Sequence, residues 1–346
     1  MSLNTQNLLN IRTLKEAKIY EKSGKLVTCN LCERRCKIPP GQAGFCKTRT
    51  NINGKLYSIV YGDLSAIESR PIEIKPFYHY YPGTTALTIS TWSCNFSCPW
   101  CQNYELSKVR PNPEKAVYTD PSMVVERALK NGDKGVCVSF NEPTMLFEYS
   151  LDLFELACRR NLYCCWVSNG YMSLEALEML ANSGLSGLKI DVKGLSETYT
   201  RYIGGVDWRI PWRNAEKAKE MGIHVEIVYL MIPMVNDDPY TIKKVIELHT
   251  KHLGLDTPLH INRYFPAYRF DKPPTPLEKL EMMYDIAKKA GLRYVYIGNI
   301  PDNSYSNTYC PNCGYLLIKR VYPNVYLYLK DGKACPNCGN RIPIVS

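Results

Sequence analysis

The chain has 346 residues, 45% hydrophobic and 22% charged, a balance that excludes a disordered or fibrous protein and leaves ample length for a large core. No run of about 18 apolar residues occurs, and the opening residues show no basic segment followed by an apolar stretch, so no membrane partner and no secretory leader are expected. The formal net charge is +10. Counting the cysteine-rich segments described below as metal-bound thiolates lowers it to about +5, so charge alone is a weak sign of nucleic acid.

The expected compartment is the cytoplasm. Thiols stay reduced there, so grouped cysteines read as metal ligands before they read as disulfides. The chain has 15 cysteines. Three domains are expected: 1–84, 85–305 and 306–346. The first opens with a predicted helix over about 12–22, followed by Cys29, Cys32, Cys36 and Cys46. Four thiolates at this spacing close around one metal centre. Zinc and an auxiliary iron–sulfur cluster both satisfy the pattern.

Residues 85–305 alternate in type. Strands are predicted at 86–91, 135–140, 162–167, 187–192, 223–231, 259–265 and 292–297. Helices are predicted at 121–129, 144–160, 173–181, 211–221, 241–252 and 276–290. The strands are short apolar runs of the kind a buried parallel sheet requires. About six βα repeats predict an α/β fold, a partial (βα)6 TIM-like barrel. In such folds the chemistry sits on loops at the C-terminal ends of the strands. Four scattered cysteines, Cys137, Cys158, Cys164 and Cys165, have apolar neighbours and are read as small core hydrophobes.

Cys94, Cys98 and Cys101 follow the first of these strands directly. Three thiolates hold three irons of a cubane and leave the fourth iron without a protein ligand. An incomplete shell is what a catalytic centre needs, because a substrate can bind there. A fourth cysteine would make the site an electron carrier, and none lies nearby.

This C-x3-C-x2-C motif resembles the signature of the radical SAM superfamily. The wider stretches, Lys75 to Gly83 and Cys98-Pro99-Trp100-Cys101-Gln102-Asn103, are similar to the radical SAM component of the AmmeMemoRadiSam system, a group related to pyruvate formate-lyase activating enzymes. The resemblance implies a [4Fe-4S] cluster on Cys94, Cys98 and Cys101. It also implies S-adenosylmethionine (SAM) as cofactor, reductively cleaved to a 5′-deoxyadenosyl radical that abstracts hydrogen from a substrate. Glu142 matches the acid that meets the methionyl ammonium, although Phe140 and Asn141 replace the glycines of the family pattern. Ser168 and Asn169 match a hydroxyl–amide turn beside SAM. Trp100 matches an aromatic slot against the adenine, and Asn103 belongs to the same cofactor set. Asp191 and Lys193 share one strand face by the two-residue period and are implied contacts to the SAM carboxylate or ribose. His260, which shares a face with Asn262, is implied near the cofactor.

Cys310, Cys313, Cys335 and Cys338 form two C-P-N-C-G knuckles, which predict a C-terminal zinc ribbon with a hairpin turning near Pro323 and Asn324. Tyr322, Tyr326 and Tyr328 alternate along it as strand residues do, and would also suit base stacking. The expected partners are a low-potential electron donor, partner proteins of the AmmeMemoRadiSam system and a macromolecular substrate, protein or RNA. Two other functions are weighed: an activase that places a glycyl radical on a partner enzyme, and a non-catalytic zinc protein that binds nucleic acid.

Overall fold

A computed structural model of the chain describes residues 11–301 and 304–346. The chain divides into two compact units. One comprises the described residues up to Arg70 together with Ala86–Ser186; the other comprises Pro71–Thr85 and the described residues from Gly187 onward.

The first unit opens with strands where sequence reasoning expects a helix. Lys15–Glu16 pairs with Lys55–Ser58, and Tyr20–Ser23 pairs antiparallel with Leu26–Cys29. The helix over 12–22 is therefore corrected to two short strands. The cause is the two-residue turn after Ser23: Gly24 takes φ +63°, a conformation that costs glycine little, and folds Tyr20–Ser23 back onto the cysteine-bearing strand. Asn51 ties both sheets together by donating its side-chain amide to the carbonyls of Lys25 and Ile38, each at 2.8 Å.

The βα repeat begins in this unit. We number its strands β1 (Thr85–Ser90), β2 (Gly135–Val138) and β3 (Tyr163–Ser168), parallel and adjacent in that order. β2 is buried throughout. Helices α1 (Pro121–Asn131), α2 (Phe147–Cys158) and α3 (Leu174–Asn182) alternate with the strands. Their ends follow from the residues present. Asp120 caps α1 by accepting from the Ser122 amide, Pro121 starts it, and Gly132 ends it at φ +77°. Ser173 caps α3 through the Ala176 amide.

The second unit continues the repeat with β4 (Leu185–Val192), whose first two residues belong to the first unit, β5 (His224–Met231), β6 (Leu259–Arg263) and β7 (Val295–Gly298). Successive strands again pair in parallel. Helices α4 (Ile210–Glu220), α5 (Pro239–Leu253) and α6 (Leu277–Lys289) intervene. All seven predicted core strands and all six predicted helices are present. Beyond β7, Thr308–Tyr309, Leu316–Val321 and Asn324–Leu327 form an antiparallel sheet, turning at Tyr322 and Pro323 as expected. Leu317, Ile318, Ile342 and Ile344 pack there with Tyr294 and Tyr296, the latter on β7, in one buried cluster.

Cys137, Cys164 and Cys165 are buried, as their apolar neighbours predict. Cys158 is not: it is the last residue of α2, exposed, with its Sγ 3.9 Å from that of Cys164. Helical periodicity puts it on the face of buried Leu151 and Phe154, seven and four residues earlier, and it is exposed as the terminal residue of the helix. Among the described residues, no helix is long and apolar enough to cross a membrane.

Candidate functional site

In the first unit the loop after β1 is anchored before its first cysteine. Thr91 Oγ1 donates to the Asp63 carbonyl at 2.7 Å, and Ser93 Oγ donates to the Cys46 carbonyl at 2.6 Å. Asn141 Nδ2 reaches the Ser93 carbonyl at 2.7 Å. Ser93 turns the chain at φ +72° and presents Cys94, partly exposed, with the Phe96 amide directed at its sulfur at 3.3 Å. Cys98 is buried and Cys101 partly exposed on the same loop. Trp100 is buried between them in sequence. Asn103 is exposed and donates Nδ2 to the Phe140 carbonyl at 2.5 Å. Phe140 itself takes φ +67°, the left-handed region that bulky residues avoid. It stands where the superfamily pattern has glycine, and it adopts a backbone that glycine would favour.

Three strand ends meet at Glu142. Its carboxylate is 4% exposed. One oxygen accepts from Ser168 Oγ at 2.9 Å and Thr144 Oγ1 at 2.5 Å; the other accepts from the Asn169 amide at 2.8 Å. Burial pushes the Glu142 carboxyl above its ordinary value, against these donors, which favour the charged form. Asn169 then extends the chain of contacts: its Nδ2 donates to Asn95 Oδ1 at 2.7 Å and lies 4.0 Å from Cys94 Sγ. Glu142, Ser168, Asn169 and Cys94 are thus brought together.

In the second unit, Asp191 lies between Lys189, at 2.8 Å, and Lys193, at 3.7 Å. Burial raises the Asp191 carboxyl, but the two ammonium groups outweigh it and hold it below its ordinary value. His260 is buried on β6 with Nε2 2.6 Å from Glu226 Oε2. Glu226 was not foreseen. It is fully buried on β5, yet ionised: burial opposes its charge, and His224 at 2.9 Å, His260, and the backbone amides of Tyr78 and His79 together overcome that penalty. The signal was a lone acid in a strand otherwise rich in β-branched and aromatic residues, with Tyr78 and His79 in the Lys75 to Gly83 stretch that carries the narrower resemblance.

The cysteine groups at the chain's two ends differ. Cys310, Cys313, Cys335 and Cys338 have all four Sγ atoms within 4.8 Å of one another. Cys310–Cys338 and Cys313–Cys335 both stand at 3.6 Å, close to the ~3.8 Å of four sulfurs around one tetrahedral zinc. This quartet is a metal-capable site. Among the described residues no three of Cys29, Cys32, Cys36 and Cys46 meet that criterion. These four instead line one small cavity.

Comparison with known proteins places these features in a family. The Radical SAM superfamily profile matches residues 88–246, the span carrying Cys94, Cys98, Cys101, Glu142, Ser168 and Asn169. An uncharacterized protein of Methanocaldococcus jannaschii is 37% identical over 336 residues, 96% of this chain and 100% of that one. The chain belongs to the radical SAM superfamily. Members of this superfamily are enzymes, and the superfamily implies a [4Fe-4S] cluster and SAM. The residues present fit both groups: three thiols on one strand-end loop, N–H donors directed at Cys94, and a buried acid beside it. This radical SAM protein is also 31% identical over 127 residues, 36% of this chain and 34% of the relative, to the PqqA peptide cyclase of Gluconobacter oxydans. A domain of pyruvate-formate lyase-activating enzyme from Bacteroides vulgatus has a TM-score of 0.40, at 20% identity, covering 48% of this chain and 99% of that one. The α/β architecture with its parallel strands and C-terminal cysteine quartet is that of a radical SAM fold with an appended metal-capable site.

Proposed function

We propose that this protein binds a [4Fe-4S] cluster through Cys94, Cys98 and Cys101, cleaves SAM reductively there, and acts on a macromolecular substrate. When bound, the cluster, reduced by a low-potential donor, would supply one electron to the sulfonium of SAM, breaking its C–S bond to release methionine and a 5′-deoxyadenosyl radical for hydrogen abstraction. The convergence of Ser168 and Asn169 on Glu142, with the Asn169 side chain 4.0 Å from Cys94 Sγ, carries this reading. Glu142, held by Ser168, Thr144 and the Asn169 amide, is oriented to accept the methionyl ammonium as a charge-assisted bond, which offsets the cost of burying its charge. Trp100 is assigned to the adenine and Asn103 to holding the Phe140 turn beside it. Asp191 and Lys193 are assigned by resemblance to the SAM carboxylate or ribose. His260 was assigned to SAM on the same basis, and its Nε2 is committed to Glu226.

The C-terminal quartet is assigned zinc, because its sulfur spacing matches a single tetrahedral ion. Tyr322, Tyr326 and Tyr328 stand exposed on that ribbon and support a macromolecular partner. The peptide substrate in the name of the Gluconobacter relative favours a protein or peptide over RNA. A partner enzyme receiving a glycyl radical is one member of that class. The remaining partners are a low-potential electron donor and proteins of the AmmeMemoRadiSam system, and the setting is the cytoplasm.

The test is anaerobic turnover with a strong reductant and SAM. 5′-Deoxyadenosine is expected from the native protein and none from Cys94→Ala/Cys98→Ala/Cys101→Ala. Iron-loaded native protein that makes no product, with or without added cell extract, overturns the reading.

A further inference from the structure

The first unit holds a second cysteine site that the superfamily match, which starts at residue 88, does not reach. Cys29, Cys32, Cys36 and Cys46 line one cavity with Leu31, Ile38 and Met145. The thiols are not gathered within 4.8 Å of one another as those of the C-terminal quartet are. In a cubane each thiolate binds a different iron, so the sulfurs stand further apart than around one ion. The spacing agrees: three cysteines within eight residues and a fourth ten residues on suit a cluster loop better than two knuckles.

Two buried donors on the cavity lining also lack partners. Arg49 Nε and Asn95 Nδ2 make no hydrogen bond, although both side chains are at most 1% exposed. Each is a donor suited to thiolate or sulfide sulfur. Asn95 belongs to the catalytic loop itself, beside Cys94, and its Oδ1 accepts from Asn169 on the loop after β3. The cavity is further tied to the catalytic loop by Ser93 to Cys46 and by Arg34 Nε, 2.5 Å from the Asn95 carbonyl.

We infer that Cys29, Cys32, Cys36 and Cys46 hold a second [4Fe-4S] cluster, fully ligated by protein and therefore an electron carrier and not a second SAM site. A low-potential protein donor reduces it by one electron; no bond forms or breaks, and the electron leaves to the next acceptor.

The experiment uses full-length protein purified without oxygen from iron-supplemented cells, with no chemical reconstitution. Iron, acid-labile sulfide and zinc are counted in the native chain and in Cys94→Ser/Cys98→Ser/Cys101→Ser. The expected result is about eight irons falling to about four, with about four sulfides retained. The retained cluster gives a reduced-state paramagnetic signal that SAM does not change. Adding Cys29→Ser/Cys32→Ser removes the rest. Two zinc ions per chain with no iron in the triple variant overturn the inference, as do iron without sulfide or a retained signal that shifts with SAM. Should the triple variant not fold, judged by loss of the native circular-dichroism spectrum and cooperative melting, the native protein decides: one SAM-responsive and one SAM-indifferent signal support the inference, and a single signal defeats it. Because the count is made without the central cysteines, failure here is distinct from failure of SAM cleavage.

Discussion

Each unit carries one group of four cysteines outside the central motif, and the two groups are held differently. In the C-terminal ribbon, two identical knuckles hold four sulfurs within 4.8 Å of one another, on a hairpin whose buried Leu317 and Ile318 supply the apolar side. In the N-terminal pocket Cys29, Cys32 and Cys46 are buried and Cys36 half-buried, among apolar side chains and the polar Arg34, Arg49, Asn95 and Thr144, and burial pushes the Cys29 thiol up to about 12. Ligand identity is the same in both. Spacing and the surrounding packing decide whether the site suits one ion or a polynuclear centre.

The largest effects come from breaking either set alone. Cys335→Ser is expected to abolish the ribbon's zinc and loosen its core, since metal binding contributes to the folding of such a site, while the iron count stays unchanged. Cys32→Ser should do the reverse, halving the iron and leaving one zinc. Loss of both metals from either variant, measured by elemental analysis, would break the claim that the sites are independent.

Within the first unit, Glu142→Gln sharpens the link between pocket and catalysis. A neutral amide cannot pair with an ammonium, and its NH2 faces donors already directed at the acid. SAM affinity should fall about 10- to 100-fold, the cost of a charged hydrogen bond, with both iron centres retained. Calorimetric binding beside the iron count checks this.

A smaller effect belongs to the second unit. His249 is buried on α5 and burial lowers its pKa to about 3, so it stays neutral when folded. The unfolded chain binds a proton there near pH 6.5 and the folded chain does not. Stability is therefore fully present above that value and falls as pH drops toward 3, by at most about 1.4 kcal/mol per pH unit for this residue. Denaturant titrations at pH 7.5 and 5.0 should show the loss, and His249→Gln should reduce it. The smallest structural change, Tyr322→Ala/Tyr326→Ala/Tyr328→Ala, should leave stability and basal SAM cleavage within error. It should remove stimulation by a macromolecular substrate.

The βα repeat was legible because buried parallel strands are short apolar runs and their helices carry ordinary caps; Asp120-Pro121 and Ser173 announce theirs. The strand-end motifs were legible too, since Glu142, Ser168 and Asn169 fall where the fold puts chemistry. What escaped had long-range causes. Tyr20–Ser23 looks helical until Gly24 folds it onto Leu26–Cys29. Glu226 is explained only by His224, His260 and amides roughly 150 residues earlier in the chain. Cys158 has apolar neighbours and lies on the buried face of its helix by period, yet it is the terminal residue and stands exposed.

That misread cysteine has a practical use. Cys158 is exposed, and its bond with Cys164 lowers its thiol to about 7, so it is partly thiolate at neutral pH. The only other cysteines exposed among the described residues, Cys313 and Cys338, belong to the ribbon quartet and are shielded once it binds an ion. In brief alkylation followed by peptide mass spectrometry, Cys158 becomes an internal standard. The labelling of every other cysteine, taken relative to it, reports how full each centre is in one sample.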